Sequence, residues 1–173
     1  MILLASGSPQ RRALLGALGV EFEVVVSGVD EGEDPLANAR AKAEEVAGRR
    51  GVPAGGAVLG ADTEVILDGR VFGKPADRAS AAEMLGALSG RPHVVRTAVC
   101  LITPDDRREL EDETTVVMRP IDDALASWYL GTGEWEGRAG GYAVQGSGAA
   151  LVERIAGDFT TVVGLPIGAL VSA

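Results

Sequence analysis

A chain of 173 residues, 46% hydrophobic and 24% charged, is long enough for one domain over residues 1–173 with its own core, and too apolar to be disordered. Its net charge of −9 excludes the basic face that duplex nucleic acid requires, but not a small phosphorylated ligand, because salt confines the field of a local cation cluster to about 10 Å. No apolar run reaches the roughly 18 residues of a membrane span and the first residues lack a leader's basic region, so a cytoplasmic protein without a membrane partner is expected.

Residues 2–5, ILLA, read as a short buried strand. Ser8 then caps a helix with Pro9 at its first position, and Leu14, Leu15 and Leu18 form its core stripe up to Gly19. FEVVVS is a second strand and GVDEGEDP a loop. Asp34 and Pro35 open a helix closed by Gly51, whose apolar face carries Leu36, Ala39, Ala43, Val46 and Ala47, with Lys42 at the border of that face. AVLGADTEVILDGRVFGKP reads as a strand broken at Asp62 and Thr63, a short strand, a DG turn and a return strand ending at Gly73 and Pro75. Ser80 and Glu83 form a capping box for a helix through Leu88. HVVRTAVCLIT and ELEDETTVVMR alternate and form a long antiparallel hairpin, and Asp122 or Asp123 begins a helix through Leu130. Two strands are expected in the glycine-rich segment 133–158, and a helix begun at Pro166 closes the chain. Strands and helices are intermixed, which predicts an α/β domain around a mixed sheet.

Familiar phosphate loops, dinucleotide turns and paired-cysteine zinc spacings are absent. The only histidine, His93, reads as an ordinary strand-edge residue, and the single cysteine, Cys100, as a small buried hydrophobe. The informative feature is misplaced charge. Arg11 and Arg12 lie in the first turn of a helix, where the backbone dipole disfavours cations. They either face solvent or flank an anion held at that helix end together with Ser8. Lysine is rare in this arginine-rich chain, standing only at positions 42 and 74, so each lysine invites a specific reason such as a compact charge on a phosphate oxygen. Asp62 sits where α/β sheets present catalytic groups, and Glu31, in a loop, is either a solvated charge or a second carboxylate. Two carboxylates with these cations suit metal-assisted chemistry on a polyphosphate.

Read together, LASGSPQRRALL, VDE, AKAEEVA, GADTEVILDGRVFGKP, LSGRPHVVRTAV and GEWEGRAGGYAVQGSGAALVERIAGDFTTVVGLP resemble, in order, the motifs of the Maf family of nucleoside triphosphate pyrophosphatases. The resemblance implies the Maf/Ham1-like (ITPase-like) α/β fold, with a mixed sheet and a cleft between two lobes. It implies cleavage between the α- and β-phosphates with Mg²⁺, or Mn²⁺ in its place, and a homodimer. It places the proton acceptor on Asp62, the phosphate and metal cluster on Ser6, Arg11, Glu31, Lys42 and Lys74, with Glu31 and Asp62 as metal ligands, and substrate sorting on Gln10, Thr63 and Gln145. Thr63 is similar to the branch acting on dTTP and UTP, which has arginine where this chain has Gln10. A 7-methyl-GTP branch and a non-catalytic nucleotide-binding regulator of septum formation are the alternatives. Arg12 is an extra cation relative to the family pattern, and the segment after Glu31 is shorter than the family's.

Overall fold

The computed structural model describes residues 1–172. Seven strands form a mixed sheet in the order β2-β1-β3-β5-β6-β7, with β4 paired to β3 outside that row. The strands are β1 (Ile2–Leu4), β2 (Phe22–Val24), β3 (Ala57–Leu67), β4 (Arg70–Phe72), β5 (Pro92–Ile102), β6 (Arg107–Met118) and β7 (Val152–Ala156). The helices are α1 (Pro9–Ala17), α2 (Pro35–Arg50), α3 (Arg78–Leu88), α4 (Asp123–Gly131), α5 (Phe159–Val163) and α6 (Ile167–Ser172). Two compact units are distinguished: residues 1–63, 97–112 and the chain from Gly164 on form the first, and residues 64–96 and 113–163 the second.

In the first unit β1 is parallel to both β2 and β3. Successive residues of a strand point to opposite faces, and here both faces are covered, which explains why ILLA and AVLGA are continuously apolar. Leu3, Val58 and Cys100 join Ala39, Ala43 and Val46 of α2 in one buried cluster, whereas Leu4, Leu59 and Val99 join Leu15 of α1 and Leu165 in another. The Cys100 thiol is fully buried, and desolvation pushes its pKa up to about 11.

Helix α2 lies so close to β3 that only glycine fits at position 60: a Cβ there would collide with the Ala39 carbonyl oxygen and sit 2.9 Å from the Ala43 nitrogen. Gly60→Ala is therefore expected to destabilise the protein by about 1–3 kcal/mol, the range for overpacking a dense core. A urea melt with an unchanged midpoint would contradict the contact.

In the second unit β3 turns into β4 through Asp68 and Gly69, both at positive φ, as the DG signal implies. Capping differs from expectation at α3. The cap is Asp77, whose carboxylate accepts the Ser80 N–H at 2.7 Å while Ser80 Oγ accepts the Asp77 N–H at 3.0 Å, so the helix begins two residues before Ser80 and Glu83 is not part of the box. The glycine-rich segment holds one strand, β7, not two. Gly140, Gly141 and Gly146 take positive φ and turn the backbone into short 3-10 segments where a strand was expected. His93 lies inside the fold and not at an exposed strand edge: it is 3% exposed, with Nε2 2.7 Å from the Tyr142 hydroxyl. Burial lowers its pKa to about 4, so it is neutral at ordinary pH.

Candidate active site

Asp62 and Thr63 interrupt an apolar run, yet β3 continues through both. The predicted break does not occur because each polar side chain finds partners. Asp62 Oδ1 accepts from Lys42 Nζ at 2.8 Å and Oδ2 from Asn38 Nδ2 at 2.8 Å. Thr63 Oγ1 lies 2.9 Å from Thr97 Oγ1 of β5 and accepts from Arg11 Nη2 at 2.9 Å. A strand tolerates such residues when tertiary neighbours replace the water they would otherwise lose.

Lys42 is the centre of the charge arrangement. Its stem belongs to the α2 face packed on β3, and the lysine is 6% exposed. Its ammonium reaches Glu31 Oε1 at 2.7 Å as well as Asp62, so two carboxylates meet on one nitrogen. The loop acid Glu31 is thus drawn into the site and is not merely a solvated charge.

Arg11 is buried at 8% exposure, and its guanidinium is bound from several directions. Nε donates to the Gly164 carbonyl at 2.8 Å, and Nη1 donates to Ser6 Oγ at 3.0 Å and the Ala61 carbonyl at 2.9 Å. Together with the Thr63 contact, this planar fork links α1, the turn after β1, β3 and the start of the C-terminal segment. Burial lowers the Arg11 pKa, and the carboxylates of Asp62 and Glu31 act in the opposite direction. The buried cation supplies positive potential beside the acids, with most of its donors held by the fold.

Helix α1 begins as expected, with Ser8 Oγ accepting the Arg11 N–H at 3.4 Å. Ser8 Oγ also donates to Gln10 Oε1 at 3.1 Å, and Ser8 N–H donates to buried Ser6 Oγ at 3.2 Å. Arg12, in the same turn, is exposed. The first unit thus brings together Ser6, Ser8, Gln10, Arg11, Glu31, Lys42, Asp62 and Thr63. Lys74 and Gln145 belong to the second unit. There the Gly73 carbonyl, adjacent to exposed Lys74, accepts the Gly140 N–H at 3.0 Å. Gln145 is exposed and precedes a 3-10 turn fastened by Glu134, whose carboxylate accepts the N–H groups of Ser147 at 2.8 Å and Gly148 at 2.9 Å.

Sequence reasoning misses Asn38 and Thr97. Asn38 lies one helical turn before Lys42, and that spacing is the available signal: a buried asparagine at i−4 from a border lysine shares its face. Thr97 has no local signal, because its partner comes from another strand.

Oxygen donors of two carboxylates suit a hard divalent cation. Among the described residues no group of three or more His, Cys, Asp and Glu side chains forms a metal cage. Mg²⁺ typically takes only one or two protein carboxylates and completes its shell with water and substrate phosphates, so Glu31 and Asp62 fit that mode.

A family model described as Maf-like protein matches residues 1–173. The chain is 49% identical over 167 residues to a dTTP/UTP pyrophosphatase of Thermus thermophilus, covering 96% of this chain and 89% of that protein. It is 44% identical over 171 residues to one of Symbiobacterium thermophilum, covering 96% and 88%. One of Pyrococcus horikoshii is 40% identical over 176 residues, covering 99% and 94%. Among solved structures, the Ham1 protein of Staphylococcus aureus shares the fold with a TM-score of 0.50 at 16% identity, over 68% of this chain and 71% of that one. No helix among the described residues is long and apolar enough to cross a membrane.

Proposed function

The chain belongs to the Maf-like protein family, and from that premise we propose that it hydrolyses nucleoside triphosphates to the monophosphate and pyrophosphate, with dTTP and UTP as its preferred substrates. The observation that carries this reading is the Lys42 ammonium shared by Glu31 and Asp62 on β3, in a chain 49% identical to a dTTP/UTP pyrophosphatase.

In this reading a water molecule attacks the α-phosphorus in line. Its oxygen forms the new P–O bond, the bond to the bridging oxygen breaks, pyrophosphate departs, and the water's proton passes to Asp62. Asp62 suits the role of acceptor because both its oxygens are held by N–H donors, which fixes the orientation of the carboxylate. Lys42 and Lys74 offset charge on the phosphate chain, which carries about four negative charges and cannot be desolvated without partners. Arg11 contributes its field from behind the strand, and exposed Arg12 and Ser8 lie at the α1 end suited to a phosphate. Glu31 and Asp62 would hold a Mg²⁺ or Mn²⁺ ion, which when bound neutralises phosphate charge. Thr63, Gln10 and Gln145 are the base-sorting positions, although Gln10 already accepts from Ser8.

The test is pyrophosphate release from dTTP, UTP and 7-methyl-GTP in the presence of Mg²⁺. The expected order of kcat/KM places dTTP and UTP above 7-methyl-GTP. A reversed order would overturn the substrate assignment, and no release from any triphosphate would favour nucleotide binding without turnover.

A further inference from the structure

Asn38 is 6% exposed, and an amide so buried must place its donors and acceptor or lose stability. Its Oδ1 accepts the Gly32 N–H at 2.7 Å, and its Nδ2 donates to the Gly32 carbonyl at 2.9 Å and to Asp62 Oδ2 at 2.8 Å. The first two bonds form a closed pair with a single backbone residue, so the amide cannot rotate without breaking both. Its remaining N–H is therefore aimed at Asp62 by the Gly32 clamp.

Two consequences follow from that aim. Lys42, one turn later on α2, holds Asp62 Oδ1 while Asn38 holds Oδ2, so the plane of the carboxylate is fixed from one helix face. Gly32 is also the neighbour of Glu31, so the clamp joins the loop bearing one carboxylate to the strand bearing the other. A neutral donor achieves this without adding charge to a site where Lys42 and Arg11 already supply it.

We propose that Asn38 is a positioning residue for this reaction, locking the Asp62 carboxylate in its reactive orientation and tying it to the Glu31 loop. This rests on the reading of Asp62 as proton acceptor, so the experiment contains a separate control for it. Asn38→Leu, similar in volume but without polar atoms, is compared with the parent and repeated in an Asp62→Asn background, with circular dichroism verifying the fold. In the parent background kcat is expected to fall about 10- to 100-fold with KM within about threefold, because an orientation is lost and not a substrate contact. In the Asp62→Asn background the same substitution is expected to change kcat by less than about twofold, since a residue acting through Asp62 has nothing left to orient. Equal losses in both backgrounds, a loss confined to KM, or unchanged kinetics would overturn the proposal. Should Asn38→Leu fail to fold, Asn38→Asp takes its place: it keeps the acceptor for the Gly32 N–H and the side-chain shape but lacks the N–H that reaches Asp62, and the same split between backgrounds is expected. Near-normal turnover of Asp62→Asn alone would instead remove the reading of Asp62 and the proposal with it.

Discussion

Asp62→Asn is expected to lower kcat for dTTP and UTP by about two to four orders of magnitude while leaving nucleotide affinity within severalfold, the range for loss of a general base. The substitution preserves shape and strand geometry. One asparagine atom can still accept a hydrogen bond, so either Lys42 or Asn38 retains a partner, but the amide cannot take a proton from water. Lys42 also keeps Glu31, which limits the electrostatic disturbance. Steady-state kinetics separates the outcomes. A rise in KM with unchanged kcat would show that Asp62 binds substrate without accepting its proton, and near-normal values of both would reject the assignment.

Arg11→Met is expected to cost about 3–5 kcal/mol of folding stability, because it removes a buried donor set and weakens the bonding of every acceptor it served. The Thr63 hydroxyl can turn to Thr97, and Ser6 retains the Ser8 N–H, so those two acceptors are partly rescued. The Ala61 carbonyl keeps only a longer contact from Lys42 Nζ at 3.4 Å, and the Gly164 carbonyl loses its 2.8 Å donor, so these two carry the larger part of the expected loss. Arg11→Lys keeps the charge but replaces a planar fork with a single point, and is expected to recover less than about half of the stability. Urea denaturation gives the comparison. A loss below about 1 kcal/mol for Arg11→Met would show that the guanidinium serves substrate and not the fold.

Features encoded by neighbouring residues are legible in the sequence. Asp34 followed by Pro35, Ser8 followed by Pro9, and the Asp68–Gly69 turn each specify their own geometry within a few residues, and each is observed where expected. Misreadings occur where distant residues decide. Asp62 and Thr63 read as a break because their partners Asn38, Lys42, Arg11 and Thr97 come from other elements. At α3, two overlapping patterns, Asp77 with Ser80 and Ser80 with Glu83, both satisfy the spacing of a capping box, and only the backbone entry angle distinguishes them. Helix α5 carries a weak local signal in Asp158, whose carboxylate accepts the Thr160 N–H at 2.7 Å, but FTTVV is short and β-branched and lacks an intrinsic helical preference. The family resemblance draws attention to residues that would meet the substrate or a metal, and Asn38, which acts through Gly32 and Asp62, is not among them.

The missing side chain at Gly60 bears on more than packing. Asn38 and Lys42 flank Ala39 on α2, the residue whose carbonyl a Cβ at position 60 would strike, and Asp62 lies two residues along β3 from that contact. The gap between helix and strand therefore sets the length of both hydrogen bonds to the Asp62 carboxylate. A methyl group's worth of displacement would stretch them together, while the Glu31 loop, carried by Asn38 through Gly32, would drift along with the helix. Robustness and chemistry are consequently coupled at one hydrogen atom, and an engineer seeking a hardier enzyme has room to alter the exposed flank of α2 but none on the side that leans against the glycine.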